Sequence, residues 1–394
     1  MKSELKEGVL TLFPEGHVDS KNAAEFERDV MGAAEAAPGA RIVVDVEALE
    51  YVSSAGLRVF MKLARVAKGT LSVINASPDV YDIFEVTGFT ELMDVRKRLR
   101  EVSVEGCEVV GQGGNGTVYR LDEDTIVKVY KPWMELAAIQ RERDFARTAF
   151  VNGVPSVIAY DVVKVGDCLG VVFEMIKSDT LGHAMRDNPQ KLDEYVDKYV
   201  ELAKTLHSTH VAEGSFSDVH VIMHERIDNL GEWCSAEEIA LLHGITDAIP
   251  HADTLTHNDL HPGNIMVQDG ELLLIDMPEV TMAPPVCDLV SIYRDMISAP
   301  QTKASIIEKS VGMPAELITR VGNMFFARYS GITDSAELEA YFKKLGLLYA
   351  FNVTLMPGAG SENSRKFADG IMNNLLRPVV VPNAEAIKAL YQVM

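Results

Sequence analysis

The chain has 394 residues, enough for two or three domains that each bury a core of their own. With 47% hydrophobic and 24% charged residues it has the composition of an ordinary globular protein, and no apolar run approaches the roughly 18 residues of a membrane helix. A net charge of −21 speaks against nucleic acid as a partner, because its phosphates need a basic face.

The first hundred residues alternate short strands and helices, the pattern of a small α/β domain. Val9–Phe13 reads as a strand. Ser20 precedes a helix with Phe26, Val30 and Ala33 on one face. Arg41–Val46 is a continuous apolar strand, Leu57–Ala67 a helix and Leu71–Asn75 another strand. Ala76-Ser77-Pro78 then opens a helix that Gly88 ends. Between these pieces, in Glu50-Tyr51-Val52-Ser53-Ser54-Ala55-Gly56-Leu57, a strand leaves the sheet and two serines stand where a helix begins. Serines at such a place serve as helix caps.

This stretch resembles the STAS domain, the family of anti-sigma factor antagonists, over residues 1 to about 100. Gly16-His17-Val18-Asp19, VVDVEALEYVSSAGL and SPDVYDIFEVTGF carry the resemblance. It implies a protein partner and a regulatory phosphoserine, which falls on Ser54. Ser53 and Ala55 depart from the family's loop, so the phosphorylation switch does not follow from the fold.

Glu108-Val109-Val110 leads into Gly111-Gln112-Gly113-Gly114-Asn115-Gly116-Thr117-Val118, which fits G-x-G-x-x-G-x-V. Glycines let the backbone turn tightly and bring N–H donors to phosphate oxygens. A dinucleotide-binding loop of this pattern would open a helix. Here Thr117–Leu121 continues as strand, Asp122-Glu123-Asp124 turns, and Thr125–Tyr130 is a second strand carrying Lys128. A glycine loop between antiparallel strands, with a lysine on the next one, is the kinase arrangement. It assigns Gly111, Gly113, Gly114, Gly116 and Val118 to ATP, and Lys128 to its α/β-phosphates. Helical sequence from about Met134 offers Glu142 as the partner of Lys128, with Glu135 as an earlier alternative. Val171–Ile176 reads as a buried strand entering a hinge, where Glu174 and Ile176 would offer backbone hydrogen bonds to adenine.

The strongest signal is His257-Asn258-Asp259-Leu260-His261-Pro262-Gly263-Asn264-Ile265, followed by Leu272-Leu273-Leu274-Ile275-Asp276. Asp259 would accept or orient the substrate hydroxyl. Asn264 and Asp276 supply the hard oxygens that Mg²⁺ prefers. His257 is expected to pack beneath this loop, not to ligate a transition metal, since no cysteine joins the two histidines.

Asn258 stands where protein kinases have arginine, Met277-Pro278 follows Asp276, and eleven residues separate Asp276 from Asp288. No room is left for a long activation loop. These motifs, with Cys287-Asp288-Leu289 downstream, resemble the aminoglycoside phosphotransferase and choline kinase superfamily over residues 105–300. The resemblance implies that Asp288 braces the catalytic loop, and that Leu202–His207 belongs to the helix beneath the hinge. Residues 301–394 read as helical: Leu317, Val321, Met324, Phe325 and Arg328 share a face, Asp334 with Glu337 forms a capping box, and Asn383 caps the last helix.

The expected architecture is therefore an α/β STAS domain (1–103) and an α+β bilobal, protein-kinase-like phosphotransferase (N-lobe 104–178, helical C-lobe 179–394) with a helical C-terminal extension. Only a few residues near Glu101–Glu105 join the two domains, too few for a long flexible tether, so coupling between them is expected. Residues 101–300 hold 34 Asp and Glu against 14 Lys and Arg, and Arg226 alone is basic between Thr205 and Tyr293. That field suits solubility or a cationic small-molecule substrate. The opening MKSELKEGVLTLF is acidic where a secretory leader would be basic and then apolar. Cys107, Cys168, Cys234 and Cys287 lack metal or disulfide spacing. A cytoplasmic protein using ATP and Mg²⁺, without a membrane or nucleic-acid partner, is the combined expectation. The alternative is a Ser/Thr protein kinase or ATP-responsive signalling module in anti-sigma factor partner switching.

Overall fold

The computed structural model describes residues 1–356 and 362–394, the side chains of 362–364 excepted. The chain divides into two compact units, Met1–Val102 and Ser103–Met394.

In the first unit, five strands lie in the spatial order Lys2–Lys6, Val9–Phe13, Arg41–Asp45, Ser72–Ala76 and Asp94–Lys97. The first pair is antiparallel and the others are parallel. Parallel neighbours need crossovers, which the helices Ala23–Ala36, Ser54–Val66 and Pro78–Val86 supply. Leu12, Val44 and Val73 from the sheet and Val30, Phe60 and Phe84 from the helices join one buried core. Phe60 meets Phe84 edge-to-face, with ring centroids 5.1 Å apart. The first helix buries Ala34 where the sequence pointed to Ala33, because the buried stripe steps by four from Phe26 through Val30. The edge strand Lys2–Lys6 is exposed at every residue and so carries no apolar signal.

In the second unit, Ala159–Val165, Cys168–Glu174, Thr125–Tyr130, Gly116–Arg120 and Val109–Gln112 follow one another across an antiparallel sheet. The helix Leu136–Val151 leaves this sheet after Tyr130 and buries Ile139, Glu142, Phe145, Ala146 and Ala149. The remainder is mainly helical, with two short sheets that carry the loops of the site. One runs in the order Ser217–Asp218, Thr281–Met282, Leu255–Thr256; the other pairs Ile265–Gln268 with Glu271–Leu274.

Three details of the C-terminal helices differ from the sequence reading. Ala315–Ser330 buries Ile318, Val321, Gly322, Phe325 and Phe326, a stripe rotated from the one through Leu317 and Met324. Asp334 caps Ser335–Thr354 through the N–H groups of Ala336 and Glu337, while a capping box with both halves formed is found at Ser235 and Glu238. Asn383 precedes Ala384–Val393 but donates its amide backwards to the Val379 carbonyl. Among the described residues, no helix is long and apolar enough to cross a membrane.

Candidate active site

The glycine loop joins Val109–Gln112 to Gly116–Arg120, and one backbone bond from Gly113 N–H to the Gly116 carbonyl (2.9 Å) spans it. Its glycines are not equivalent. A Cβ on Gly116 would stand 2.2 Å from the Val129 carbonyl oxygen, so the close strand pairing there admits only glycine. Gly113 and Gly114 face open space within 4 Å.

Val118 lies opposite Lys128 in the register of the hairpin. Lys128 Nζ donates to Glu142 Oε1 and to Asp276 Oδ1, each at 2.7 Å. Of the two glutamates considered from sequence, Glu142 meets the lysine; Glu135 is the residue preceding the helix. Burial works against the charge on Lys128, but Asp276 and Glu142 outweigh it and hold the ammonium above its ordinary pKa. Burial would likewise raise Asp276, yet the charge and hydrogen bond of Lys128 keep it below the usual carboxylate value. Glu142, more enclosed, is pushed up by burial in spite of Lys128.

The catalytic loop is held from below by Asp288, which is fully buried. Its carboxylate accepts from the backbone N–H of His257 (2.7 Å) and of Asn258 (2.5 Å) and from His207 Nε2 (3.1 Å). With Nε2–H spent on the carboxylate, His207 accepts at Nδ1 from the Tyr329 hydroxyl (2.7 Å). Desolvation would raise Asp288, but the hydrogen bonds from His207 and from the His257 backbone N–H hold it low. The Tyr199 hydroxyl, from the same helix as His207, donates to the Leu260 carbonyl at 2.6 Å. The helix Leu192–His207, which the family resemblance places beneath the hinge, therefore supports the catalytic loop.

His257 is fully buried, and its Nε2–H donates to the Ile275 carbonyl at 3.0 Å. Asn258 and Asp276 both have left-handed backbones, with φ of 63° and 61°, a conformation costly for residues other than glycine. Asn258 offsets that cost by donating its amide to the Glu279 carbonyl (2.7 Å) and Thr281 Oγ1 (2.8 Å), stitching the loop to the segment after Asp276. Asp259 Oδ2 accepts from Asn264 Nδ2 at 2.8 Å, and Oδ1 accepts from Arg294 at 2.8 Å. Asn264 thereby keeps its own Oδ1 as an acceptor. Arg294 also pairs with Asp295, at the start of a π-helical stretch, Arg294–Ser298, a form found often at functional sites.

At the hinge, Glu174 spends its backbone N–H on the Ile158 carbonyl (3.0 Å) and its carboxylate on the Ile158 N–H (2.6 Å). The Glu174 N–H is thus already committed within the sheet. Among the described residues, the Ile176 N–H joins none of the backbone hydrogen bonds outside helices and strands.

In the first unit, Ser53 is the cap of the helix Ser54–Val66, its Oγ accepting from Gly56 N–H at 3.4 Å, and Ser54 is exposed at the first helical position. Arg294, Tyr199, His207 and Tyr329 were not assigned to the site from sequence. They converge from helices up to 130 residues apart, and no local spacing marks them.

The model of the phosphotransferase enzyme family matches residues 106–310, and that of the STAS domain matches residues 1–102. A Bordetella bronchiseptica protein named as an anti-sigma factor antagonist, BtrV, is 37% identical over 93 residues, which is 23% of this chain and 78% of the relative. Among solved structures, ADP-bound aminoglycoside phosphotransferase APH(2'')-Ib is similar at 15% identity, with 68% of this chain and 91% of that one covered and a TM-score of 0.46. A choline/ethanolamine kinase family protein from Mesorhizobium loti is similar at 14% identity, with 73% and 92% covered and a TM-score of 0.44. The chain belongs to the phosphotransferase enzyme family, as an ATP-dependent phosphotransferase acting on hydroxyl groups that carries a STAS domain at its N-terminus.

Proposed function

We propose that this phosphotransferase moves the γ-phosphate of Mg·ATP to a hydroxyl of a small cationic or amine-bearing molecule, and that the STAS unit binds a regulatory protein partner. The reading rests on one convergence: Lys128 bonded to both Glu142 and Asp276, beside a loop in which Asn264 and Arg294 fix Asp259. Lys128 holds the α/β-phosphates and Glu142 orients it. Gly111, Gly113, Gly114, Gly116 and Val118 cover the phosphates, and the Ile176 N–H meets adenine, with the Glu174 carbonyl as the other hinge group. The Asp276 carboxylate, kept ionised, and the free Asn264 Oδ1 are the hard oxygen donors that suit Mg²⁺. When bound, the metal supplies charge neutralisation at the phosphates. Both oxygens of Asp259 already accept hydrogen bonds, so it orients the acceptor hydroxyl and takes its proton as transfer proceeds. His257 and Asp288 keep the loop in place.

A small acceptor is favoured by the segment after Asp276. Met277, Val280, Met282 and Ala283 are buried, and helix resumes at Val286, so this stretch is packed structure with no long loop to open for a protein. The cationic preference is supported by the acidic balance of residues 101–300 and by exposed Glu279 beside the catalytic loop. A screen with γ-labelled ATP over amine-bearing alcohols, neutral alcohols and proteins tests this. Amine-bearing acceptors are expected to give the highest kcat/KM, falling as salt rises. A neutral or anionic acceptor whose kcat/KM is indifferent to salt would refute the charge preference. Phosphate appearing on proteins, Ser54 included, would favour the partner-switching kinase instead.

A further inference from the structure

The helix Val219–Asp228 carries a histidine cluster that the phosphotransfer reading does not use. Asp218 caps this helix by accepting the His220 backbone N–H at 2.7 Å. The His220 ring is buried, with its Nε2 2.9 Å from the Ile249 carbonyl and its Nδ1 2.8 Å from Asp218 Oδ1. A carbonyl oxygen only accepts, so Nε2 carries the hydrogen. In the neutral ring, Nδ1 is then a bare lone pair pressed against a carboxylate oxygen. Two acceptors at that distance need a positive charge shared between them: a proton on Nδ1, which makes the contact an imidazolium–carboxylate ion pair, or a metal ion that both atoms ligate.

His251 completes the set. Its ring lies 4.2 Å from that of His220, centroid to centroid, and it is exposed. One ligand atom from each of Asp218, His220 and His251 falls within 4.8 Å of the others. Ligands about 2.0–2.1 Å from a metal stand roughly 2.9–3.4 Å apart, so closing this triangle on an ion asks for small movements, chiefly of exposed His251. Two imidazoles and one carboxylate suit a first-row divalent ion such as Zn²⁺ or Co²⁺, and are soft for Mg²⁺. The Ile249 carbonyl does what an outer partner does in histidine metal sites: it fixes the tautomer and aims the free nitrogen inward.

The geometry points to a divalent transition-metal site formed by Asp218, His220 and His251, with the remaining positions open to water. The site is separate from the phosphate-binding oxygens but joined to them by one strand. Ser217 and Asp218 pair with Thr281 and Met282, and Thr281 pairs in turn with Thr256, which leads into the catalytic loop. A metal here would fasten the Ser217–Asp218 edge to the segment bearing His251.

The nearest competitor is the pair His224 and His243, whose Nδ1 atoms are 2.6 Å apart while Asp247 and Asp228 hold their Nε2 atoms at 3.1 and 3.2 Å. That separation is one of a shared proton; the two rings bring no third ligand, and they serve as the control. The test is Co²⁺ and Zn²⁺ titration of the tag-free full chain in excess Mg²⁺, read by calorimetry and by the visible spectrum of Co²⁺. One equivalent is expected, with nitrogen-ligated Co²⁺ bands. Affinity should fall about tenfold or more in His251→Gln and in Asp218→Asn, and stay unchanged in His243→Gln. Asparagine preserves the helix cap, and His251 is exposed, so both variants should fold; matching circular dichroism establishes it. No binding in excess Mg²⁺, binding that survives both substitutions, or binding lost only in His243→Gln would each overturn the assignment.

Discussion

The glycine hairpin and the catalytic loop face the same chemistry with opposite degrees of support. Val109 and Val110 before the hairpin are 54% and 41% exposed, and Gly113 and Gly114 have open space around them. The catalytic loop instead sits on buried His257, Leu260 and Asp288, with bonds reaching it from Tyr199 and Arg294 and with Asp288 itself held by His207. Segments with few buried contacts open at low free-energy cost. The hairpin is therefore the side freer to adjust, and the loop His257–Asn264 the side held in place; under the proposed function these are the nucleotide side and the acceptor side. Two residues of the braced side, Asn258 and Asp276, hold left-handed backbones.

The largest effect should come from removing the brace. Asp288→Ala leaves two backbone N–H groups and the His207 N–H without their acceptor in the interior, and should cost about 3–5 kcal/mol in denaturant unfolding. A loss under about 1 kcal/mol would break the comparison. The same carboxylate sets a pH dependence. Its folded pKa lies below the unfolded value of about 3.9, so its contribution is complete above that value and drains away as pH falls toward the folded one. Wild-type stability should decline below about pH 4, and Asp288→Asn should show a shallower decline over that window.

Next in size, Asp259→Asn should lower kcat by about 10² or more while ATP affinity holds, because the isostere keeps the packing and removes the acceptor of the proton. Single-turnover transfer and calorimetry on one preparation separate the two quantities. Turnover near wild type would show that the fixed side does not do the chemistry.

Two glycine substitutions then sharpen the contrast within the hairpin. Gly116→Ala forces a Cβ against the Val129 carbonyl and should cost about 1–3 kcal/mol, with a raised KM for ATP. Gly113→Ala meets nothing and should stay within about 0.5 kcal/mol of wild type by thermal melting. Equal losses from the two would mean that the loop tip is as tightly held as its base.

Much of this was legible in sequence where function forces residues into short order. The glycine hairpin, Lys128, the His257–Asn264 run and Asp276 are local patterns, and periodicity marked the helices of the first unit and the three inner strands of its five-stranded sheet. What sequence missed is support assembled across long separations. Arg294 reaches Asp259 from 35 residues along the chain, and Tyr329 reaches Asp288 only through His207. That the Glu174 N–H is committed was hidden for a related reason: it bonds to the Ile158 carbonyl, and a single strand's pattern does not reveal its partner. The fully exposed strand Lys2–Lys6 is held by pairing with Val9–Phe13 and not by a buried face, which leaves no trace in hydropathy.

The most direct test of the central claim is ATP binding by calorimetry with Mg²⁺ and with EDTA, on wild type and Asp276→Ala. Wild type should bind ATP far more tightly with Mg²⁺ than without it, and Asp276→Ala should erase most of that difference while retaining weak metal-free binding. No ATP binding by the wild type, or a Mg²⁺ dependence that persists unchanged in Asp276→Ala, would contradict the assignment of Lys128, Asn264 and Asp276 as a nucleotide and metal site.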